Sequence, residues 1–211
     1  MINAIRNNAL ILVIFACAAT GLVAFTNLAT KDRIAQQQQQ QLLRVLNQVI
    51  PTRMHDNELY QACTLVQDPL LGTSEPLLAY VATFEGEPVA IAIEAVAPDG
   101  YNGSIKLIVA TTMRGQILGS RVLEHQETPG LGDKIDLRVS EWILDFSGKF
   151  VSSTNIDQWK VRKDGGQFDQ FTGATITPRA VVNAVKNASL FLNENRDTLV
   201  TQPTNCGAKH D

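Results

Sequence analysis

Apolar residues first gather near the amino terminus, in a run without charges. From Ala9 to Thr30 the chain has 22 consecutive residues that carry no charged side chain. As an α-helix this run would measure about 33 Å, which is enough to cross a hydrocarbon core of about 30 Å. The pattern therefore predicts a membrane-spanning helix.

Three other interpretations of this run fit the pattern less well. A cleaved signal peptide would have a shorter apolar core, whereas the run continues well past the small-residue exit Ala16-Cys17-Ala18. A lipid anchor on Cys17 would follow small residues, but Phe15 is bulky. A buried core helix fits poorly because the run is apolar on every face and exceeds the normal length of a globular helix. Positive residues flank the run on both sides, so charge leaves its orientation open.

A polar helix is predicted to follow the span. Lys31 to Ile50 contains six consecutive glutamines, Gln36 to Gln41, and then apolar residues at helical spacing. Pro51 ends this pattern. We interpret the segment as a solvated helical stalk that carries the chain away from the bilayer.

Runs of β-prone residues mark the second part of the chain. Four predicted strands cover Leu77 to Phe84, Val89 to Ala97, Ser104 to Thr112 and Ile117 to Glu124. The first two are joined by Glu85-Gly86-Glu87-Pro88, which is typical of a hairpin. These runs predict a mostly antiparallel sheet.

Helical spacing returns after the strands. Asp133 to Phe146 and Pro178 to Asn193 both carry apolar residues three and four positions apart, which predicts two helices packed on the sheet. Trp159 to Arg162 is interpreted as one more strand, and the fold class is α+β. The predicted organisation is a transmembrane anchor over 1–30, a helical stalk and connector over 31–76, a folded domain over 77–200 and a C-terminal tail over 201–211.

Composition and charge exclude several classes of protein. The chain has 211 residues, of which 45% are hydrophobic and 18% charged, so it is not collagen-like, disordered or disulfide-dense. With 18 Lys and Arg against 21 Asp and Glu, the formal net charge is −3. The positive residues are scattered, which argues against nucleic acid as a partner.

Cysteine and histidine residues point to no metal site. Cys63 and Cys206 are far apart in sequence and form no CxxC pair, so they are either one disulfide in an oxidising compartment or two free thiols. His55, His125 and His210 are dispersed and suggest no catalytic set. His125 and Glu127 alone lack the third ligand that zinc requires. Trp142 and Trp159 are interpreted as core residues.

The stretch from Asp169 to Pro178 carries the strongest chemical signal. Its sequence is DQFTGATITP, in which Thr177 is placed to cap the last helix and Pro178 to stand in its first turn. The amides at such a helix start favour an anion. Gly173 and Ala174 remove side-chain bulk beside Thr175, so a large group could approach its hydroxyl. A plain capped turn without any ligand has the same residues.

These residues resemble a known attachment motif. Asp-x-x-Thr-Gly-Ala-Thr-x-Thr is similar to the flavinylation motif of the FMN-binding domain family, in which FMN is esterified through its phosphate to the last Thr of the Ser/Thr-Gly-Ala-Thr core. That residue is Thr175 here, and Thr172 stands where Ser is commoner. GYNG at 100–103 and EHQETPGLG at 124–132 resemble two further landmarks of the same domain. With one amino-terminal span, the chain is most similar to the G subunits of Rnf-type ion-translocating electron transport complexes; the sister C subunits of sodium-translocating NADH:quinone reductases are usually longer.

The resemblance implies a cofactor and its surroundings. FMN would be joined to Thr175 by a phosphoester bond in an FMN-binding domain over 77–200, with the flavin doing the redox work and no catalytic acid or base required. A separate Mg-dependent flavin transferase would take the FMN from FAD. The flavin-binding residues expected beside Thr175 are Thr172, Gly173, Ala174, Thr177, Tyr101, Glu127, Thr128, Gly130, Leu131 and Gly132. For Tyr101, an ordinary core or turn tyrosine is an equally good interpretation.

The resemblance also implies a location and partners. The chain would cross the bacterial inner membrane once, hold its FMN-binding domain on the periplasmic side and contact lipid. It would act in a translocase, with other subunits that carry iron–sulfur and flavin centres as its partners. Two alternatives are a membrane-tethered binding or assembly module without redox function, and a flavin-bearing domain that serves a soluble reductase. The amino-terminal anchor argues against the soluble reductase.

Overall fold

The computed structural model describes residues 2–206, except for the side chains of residues 2–4, 32, 35 and 38. His210 and the end of the predicted tail, 207–211, lie outside the described residues. The chain divides into two compact units, residues 1–41 and residues 42–211. The predicted α+β class is confirmed, because an apolar amino-terminal helix is followed by an antiparallel sheet with helices.

Helix α1 (Ile2–Val49) forms the first unit and continues into the second. Its segment Ile5–Lys31 is 27 residues long and, by length and composition, able to cross a membrane. The glutamine run is helical, as predicted, and α1 ends at Val49, two residues before Pro51. Proline lacks the backbone N–H that would continue the helix.

The second unit is built on a five-stranded antiparallel sheet in which sequential strands are neighbours. Its strands are β1 (Cys63–Val66), β2 (Leu77–Phe84), β3 (Glu87–Ala97), β4 (Ile105–Thr112) and β5 (Ile117–Glu124). β2 and β5 have the predicted bounds, β3 begins two residues earlier and β4 one residue later than predicted, and β1 is additional. The predicted β2–β3 hairpin turns at Glu85 and Gly86, whose φ values of 52° and 84° are those of a type I′ turn.

Both faces of the sheet are covered by helix. Helix α2 (Ile176–Thr201) lies on one face, where Val181 and Val185 share a core with Ile91 and Ile93 of β3. On the other face, Leu46, in the last turn of α1, shares a second core with strand residues of the opposite parity. The alternation of side chains along each strand produces these two cores.

Short 3₁₀ turns replace two predicted elements between β5 and α2. The helix predicted over Asp133 to Phe146 is two 3₁₀ helices, Gly132–Ile135 and Glu141–Phe146. Asp136 and Ser140 break it, because their side chains accept hydrogen bonds from the backbone amides two residues further on. The strand predicted over Trp159 to Arg162 is also wrong, since only Val161 forms an isolated bridge there, to Phe168. The remaining 3₁₀ helices are Thr52–Met54, Pro69–Leu71, Ile156–Gln158 and Arg162–Asp164.

Buried aromatic side chains hold this irregular region against the sheet. Trp142 and Trp159 are buried, as predicted, with 8% and 1% of their surface exposed. The ring of Trp142 lies edge-on to Phe171, with 5.1 Å between centroids, and Phe146 stacks on Phe168 at 4.6 Å. Such pairs stabilise a segment beyond the area they bury. The segment that leads into α2 is therefore fixed by packing.

A disulfide joins Cys63 to Cys206, with 5.5 Å between the two Cα atoms. The sequence left this pairing open. The C-terminal residues also bond to β1, because the amide of Asn205 donates to the carbonyl of Cys63 and its side chain accepts from the amide of Leu65. The tail therefore covers the β1 edge of the sheet, which would otherwise expose unpaired backbone groups.

Candidate functional site

A cleft of about 370 Å³ opens where α2 begins. Its walls come from all three sequence landmarks, although these are separated along the chain. The lining residues are Tyr101, Glu127, Thr128, Leu131, Gly132, Gly173, Ala174, Thr175, Ile176 and Thr177. Nine of these ten are among the residues expected beside the cofactor, and Ile176 is the tenth. Cofactor sites commonly have volumes of about 300–1,000 Å³.

The start of α2 differs from the prediction in a way that matters for chemistry. The helix begins at Ile176, so that Thr175 rather than Thr177 occupies the capping position. Within the described chain, the Thr175 side chain makes no capping hydrogen bond to the first turn. Thr175 is half-buried at the cleft, and its hydroxyl is therefore not used to hold the helix end.

Thr177 is not a cap because its hydroxyl has another partner. It is fully buried and donates a hydrogen bond of 2.6 Å to the Oε2 atom of Glu127. The two residues are 50 positions apart in sequence, so no local pattern could reveal this contact. The three threonines of the motif thus have three environments. Thr172 is exposed and lies outside the cleft lining, and Thr175 borders the cleft with its side chain half-buried. Thr177 also lines the cleft but is fully buried, with its hydroxyl bonded to Glu127.

Glu127 connects the three landmarks. Its carboxylate is buried, with 5% of the residue exposed, and Oε1 accepts a hydrogen bond of 3.2 Å from the backbone amide of Asn102. Oε2 accepts from Thr177 at the start of α2. The Asn102 side chain adds a hydrogen bond of 2.6 Å to the carbonyl of Gln126. One carboxylate therefore ties the loop before β4 and the loop after β5 to the first turn of α2.

Two glycines make room for this carboxylate. A Cβ atom built on Gly132 would lie 2.5 Å from Glu127 Oε2 and 2.9 Å from the Thr177 hydroxyl oxygen. One built on Gly100 would lie 2.9 Å from Glu127 Oε1. Real Cβ atoms do not approach other atoms so closely. A side chain at Gly132 would displace Glu127, and one at Gly100 would clash first with the backbone carbonyl oxygen of Gly103 and then with Glu127. The small residues of two landmarks are thus explained by what they pack against within the protein.

Of the remaining expected residues, Tyr101, Thr128, Leu131 and Gly173 line the cleft, and Gly130 does not. Tyr101 has 68% of its surface exposed and Leu131 has 42%. The loop turns back at Thr128, whose carbonyl accepts hydrogen bonds from the amides of Leu131 and Gly132. Gly130 is exposed outside the lining and has a φ of 76°, a left-handed conformation that suits glycine. Gly173 is also left-handed, with a φ of 82°, and turns the chain towards Thr175.

The loop over residues 169–175, which carries the motif, is fixed by charged and aromatic contacts to the neighbouring segments. The carbonyl of Asp169 accepts a hydrogen bond of 2.8 Å from the indole of Trp142, and its carboxylate pairs with Arg162 at 2.9 Å. Phe171 packs on the same indole. These contacts fix the loop immediately before Gly173, so that the position of Thr175 is set on both sides.

A second buried carboxylate lies beside the Glu127 loop. Asp136 is hydrogen-bonded by Arg138, whose guanidinium Nε atom lies 2.9 Å and 3.1 Å from the two carboxylate oxygens. These bonds hold the pKa of Asp136 below its ordinary value. His125 Nε2 lies 3.8 Å from Asp136, and His125 Nδ1 accepts from the amide of Glu127 at 3.1 Å. His125 therefore supports the Glu127 loop; no group of three His, Cys, Asp or Glu side chains within residues 2–206 is arranged to hold a metal ion.

Sequence reasoning missed Ile176, Asn102 and Asp136 as parts of the site. Ile176 lies inside the quoted motif, between two residues that were predicted, and its position next to Thr175 was a signal that the sequence offered. The structure shows its side chain exposed at the cleft. Asn102 lies inside the GYNG landmark, but its partner is 25 residues away. Asp136 stood in a predicted helix, which hid its capping role.

The chain matches two known family models. Residues 1–49 match the RnfG N-terminal region, and residues 100–189 match the FMN-binding domain. The G subunit of the ion-translocating oxidoreductase complex of Vibrio atlanticus is 66% identical to this chain over 99% of this chain and all of its own length. The corresponding G subunit of Vibrio vulnificus is 60% identical, and that of Shewanella baltica 58%, over the whole length of both chains.

Proposed function

This chain belongs to the family of G subunits of ion-translocating oxidoreductase complexes, and we propose that it carries electrons within such a complex through FMN attached covalently to Thr175. Membership gives the chain an FMN-binding domain and the role of a redox subunit. The phosphoester bond to Thr175 is our proposal. One observation carries it: a half-buried threonine hydroxyl, unused by the helix it precedes, borders a cleft built by three separate motifs.

The residues at the cleft fit an FMN group. The cleft has the volume of a cofactor site, and its rim combines aromatic and aliphatic surface from Tyr101, Leu131 and Ile176. The first amides of α2 have no partner within the helix, and they face an end where the helix dipole favours negative charge. A phosphate diester at Thr175 would keep one negative charge there. When bound, FMN accepts and donates electrons one or two at a time.

The protein's own residues then have distinct tasks. Thr175 supplies the oxygen of the ester, and Gly173 leaves its approach free of a side chain. The start of α2 stabilises the diester charge. The amphipathic ring of Tyr101 and the aliphatic side chains of Leu131 and Ile176 offer surface that excludes water from a planar ring system. No proton-transferring side chain is required, since electron transfer needs only position and potential.

The helix and the disulfide support a proposed location, and family membership supports the proposed partners. We place the Ile5–Lys31 segment across the bacterial inner membrane as a single span in contact with lipid. The Cys63–Cys206 disulfide favours an oxidising compartment, which supports a periplasmic position for the domain. The proposed partners are the other subunits of the translocase, including iron–sulfur and flavin subunits, and a flavin transferase during maturation. Anchoring raises the local concentration of the domain beside those subunits.

Replacement of Thr175 tests the proposal. The full chain is coexpressed with a flavin transferase, purified in detergent, denatured and separated on a gel under ultraviolet light. The wild-type band should fluoresce and gain the mass of one FMN less one water. Thr175→Val removes the hydroxyl but keeps the branched shape, so it should abolish both signals, whereas Thr175→Ser should retain them.

Thr154→Val serves as the matched control, since it removes an exposed threonine hydroxyl outside both the attachment motif and the cleft lining. It should still acquire one flavin. Flavin on the Thr175→Val protein would contradict the assignment, and peptide mapping would then identify the modified residue. A wild-type protein without bound flavin from its native host would instead favour the non-redox assembly module.

A further inference from the structure

The carboxylate of Glu127 borders the cleft, but both of its oxygens are engaged by the protein. Oε1 accepts from the Asn102 amide and Oε2 from the Thr177 hydroxyl. We propose that Glu127 is a positioning residue for flavin attachment, which acts through Thr177 to fix the first turn of α2 so that Thr175 presents its hydroxyl to the cleft. This inference rests on the proposed function and goes beyond the expectation that Glu127 is merely a neighbour of the flavin.

Burial makes this contact a strong constraint. Glu127 and Thr177 have 5% and 0% of their surfaces exposed, and their hydrogen bond is 2.6 Å long. A hydrogen bond to a buried charged group is worth more than an ordinary one, because breaking it leaves the charge unsatisfied. Thr177 can therefore rotate away only at a high cost in free energy. Thr175 lies two residues before Thr177 and shares its turn.

The same contact selects between two hydroxyls. Thr175 and Thr177 both line the cleft. Thr175 stands just before α2 and Thr177 in its first turn, so both lie at the helix end where a phosphate would be stabilised. Glu127 accepts the hydrogen bond of the Thr177 hydroxyl. The Thr175 side chain, in contrast, makes no capping hydrogen bond in the described chain. The carboxylate thus removes the competing nucleophile while it orients the correct one.

Orientation matters because the attachment step is a phosphoryl transfer. The Thr175 oxygen forms a bond to the phosphorus of FAD that carries the flavin. The bond between this phosphorus and the oxygen that bridges to AMP breaks, so that AMP leaves and the hydroxyl proton is released. The flavin transferase supplies the catalytic groups, so this chain contributes only the placement of its oxygen. Misplacement by about 1 Å in such reactions costs on the order of 100-fold in rate.

The experiment measures the initial rate of flavin attachment to full-length apoprotein by purified transferase, with FAD and Mg²⁺, well below the unfolding temperature. Glu127→Ala should slow attachment on the order of tenfold. Thr177→Val, which keeps the shape and loses the donor, should slow it similarly. Because the two residues act as one unit, the double variant should be about as slow as either single variant rather than about 100-fold slower. Glu127→Gln should recover most of the rate, since an amide can accept from Asn102 and donate to Thr177.

Glu124→Gln is the matched control, because this exposed carboxylate pairs with Lys106 away from the cleft lining, and it should attach flavin at the wild-type rate. If Glu127→Ala fails to fold, Thr177→Val and Glu127→Gln still decide the outcome. The inference is overturned if folded variants have a lower melting temperature but attach flavin as fast as the wild type, or if the two effects multiply. A wild-type protein that accepts no flavin would instead refute the proposed function.

Discussion

At the scale of single residues, the site depends on glycines, whose lack of a Cβ atom leaves room for other side chains. Gly132 contributes no contact of its own, but its missing Cβ leaves the space in which Glu127 and Thr177 meet. From the sequence, this glycine was among the residues expected beside the flavin. The structure adds that the Glu127 carboxylate and the Thr177 hydroxyl already occupy that space.

Gly132→Ala should therefore destabilise the domain. The new Cβ would lie 2.5 Å from Glu127 Oε2, and overpacking of this kind costs about 1–3 kcal/mol in the free energy of unfolding. Denaturant unfolding of the full chain in detergent, followed by tryptophan fluorescence, measures the cost. In a Glu127→Ala background the nearest clashing atom is gone, although the Thr177 hydroxyl oxygen at 2.9 Å remains, so the penalty should fall in part.

Gly130→Ala is the control for this comparison. Its Cβ meets no atom within 4 Å, but the backbone φ of 76° is unfavourable for alanine. The cost of this substitution should be the same with and without Glu127. A Gly132→Ala penalty that stays unchanged in the Glu127→Ala background would show that the clash is not with this carboxylate.

At the scale of elements, the bounds of regular strands were predicted closely, but the side-chain hydrogen bonds that interrupt a helix were not. β2 and β5 could be delimited because their β-branched and apolar runs end at Gly- or Glu-containing turns. The four-residue strand β1 is too short for a pattern, and it is defined by pairing with β2 and by the tail. The predicted helix over Asp133 to Phe146 had correct spacing, but two side-chain caps divide it into 3₁₀ turns.

The site shows the same division between local and distant information. Its members could be found because each lies in a short motif that resembles a known one. The contact between Thr177 and Glu127 could not, since a threonine before proline at a helix start looks like a cap whatever its partner is. Sequence therefore located the cleft residues but assigned Thr177 the wrong hydrogen bond.

Acid should weaken the turn that contains Asp136. Arg138 holds the pKa of this carboxyl below that in the unfolded chain, so its stabilisation is complete above about pH 4 and is lost as pH falls through the lower folded value. Asp136→Asn should cost about 1–3 kcal/mol near pH 7. The difference from wild type should shrink below about pH 4 when unfolding is measured across the acid range.

Asp157→Asn provides the comparison, because its pair with Lys160 is exposed and should contribute less than about 1 kcal/mol at any pH. A constant difference between Asp136→Asn and wild type from pH 7 to pH 3 would mean that the carboxylate charge is not the source of the stabilisation.

At the scale of the whole molecule, the disulfide links sequence positions that are 143 residues apart. It fastens the end of the chain, after α2, to the first strand of the sheet, and the adjacent hydrogen bonds of Asn205 continue the contact along β1. The segment after α2 is thereby held at the β1 edge of the sheet. The redox state of these thiols also reports the compartment in which the domain lies.

A periplasmic domain predicts a specific pattern of thiol labelling. Cells are quenched in acid to trap thiols, denatured and treated with a maleimide polymer that shifts the band for each free cysteine. Without reductant only Cys17, the described free cysteine, should react, and reduction should add two further shifts for Cys63 and Cys206. Cys17→Ser is the control and should show no shift before reduction. Three shifts in unreduced wild-type cells would place the domain in a reducing compartment, because a disulfide between two buried cysteines persists where the surroundings are oxidising.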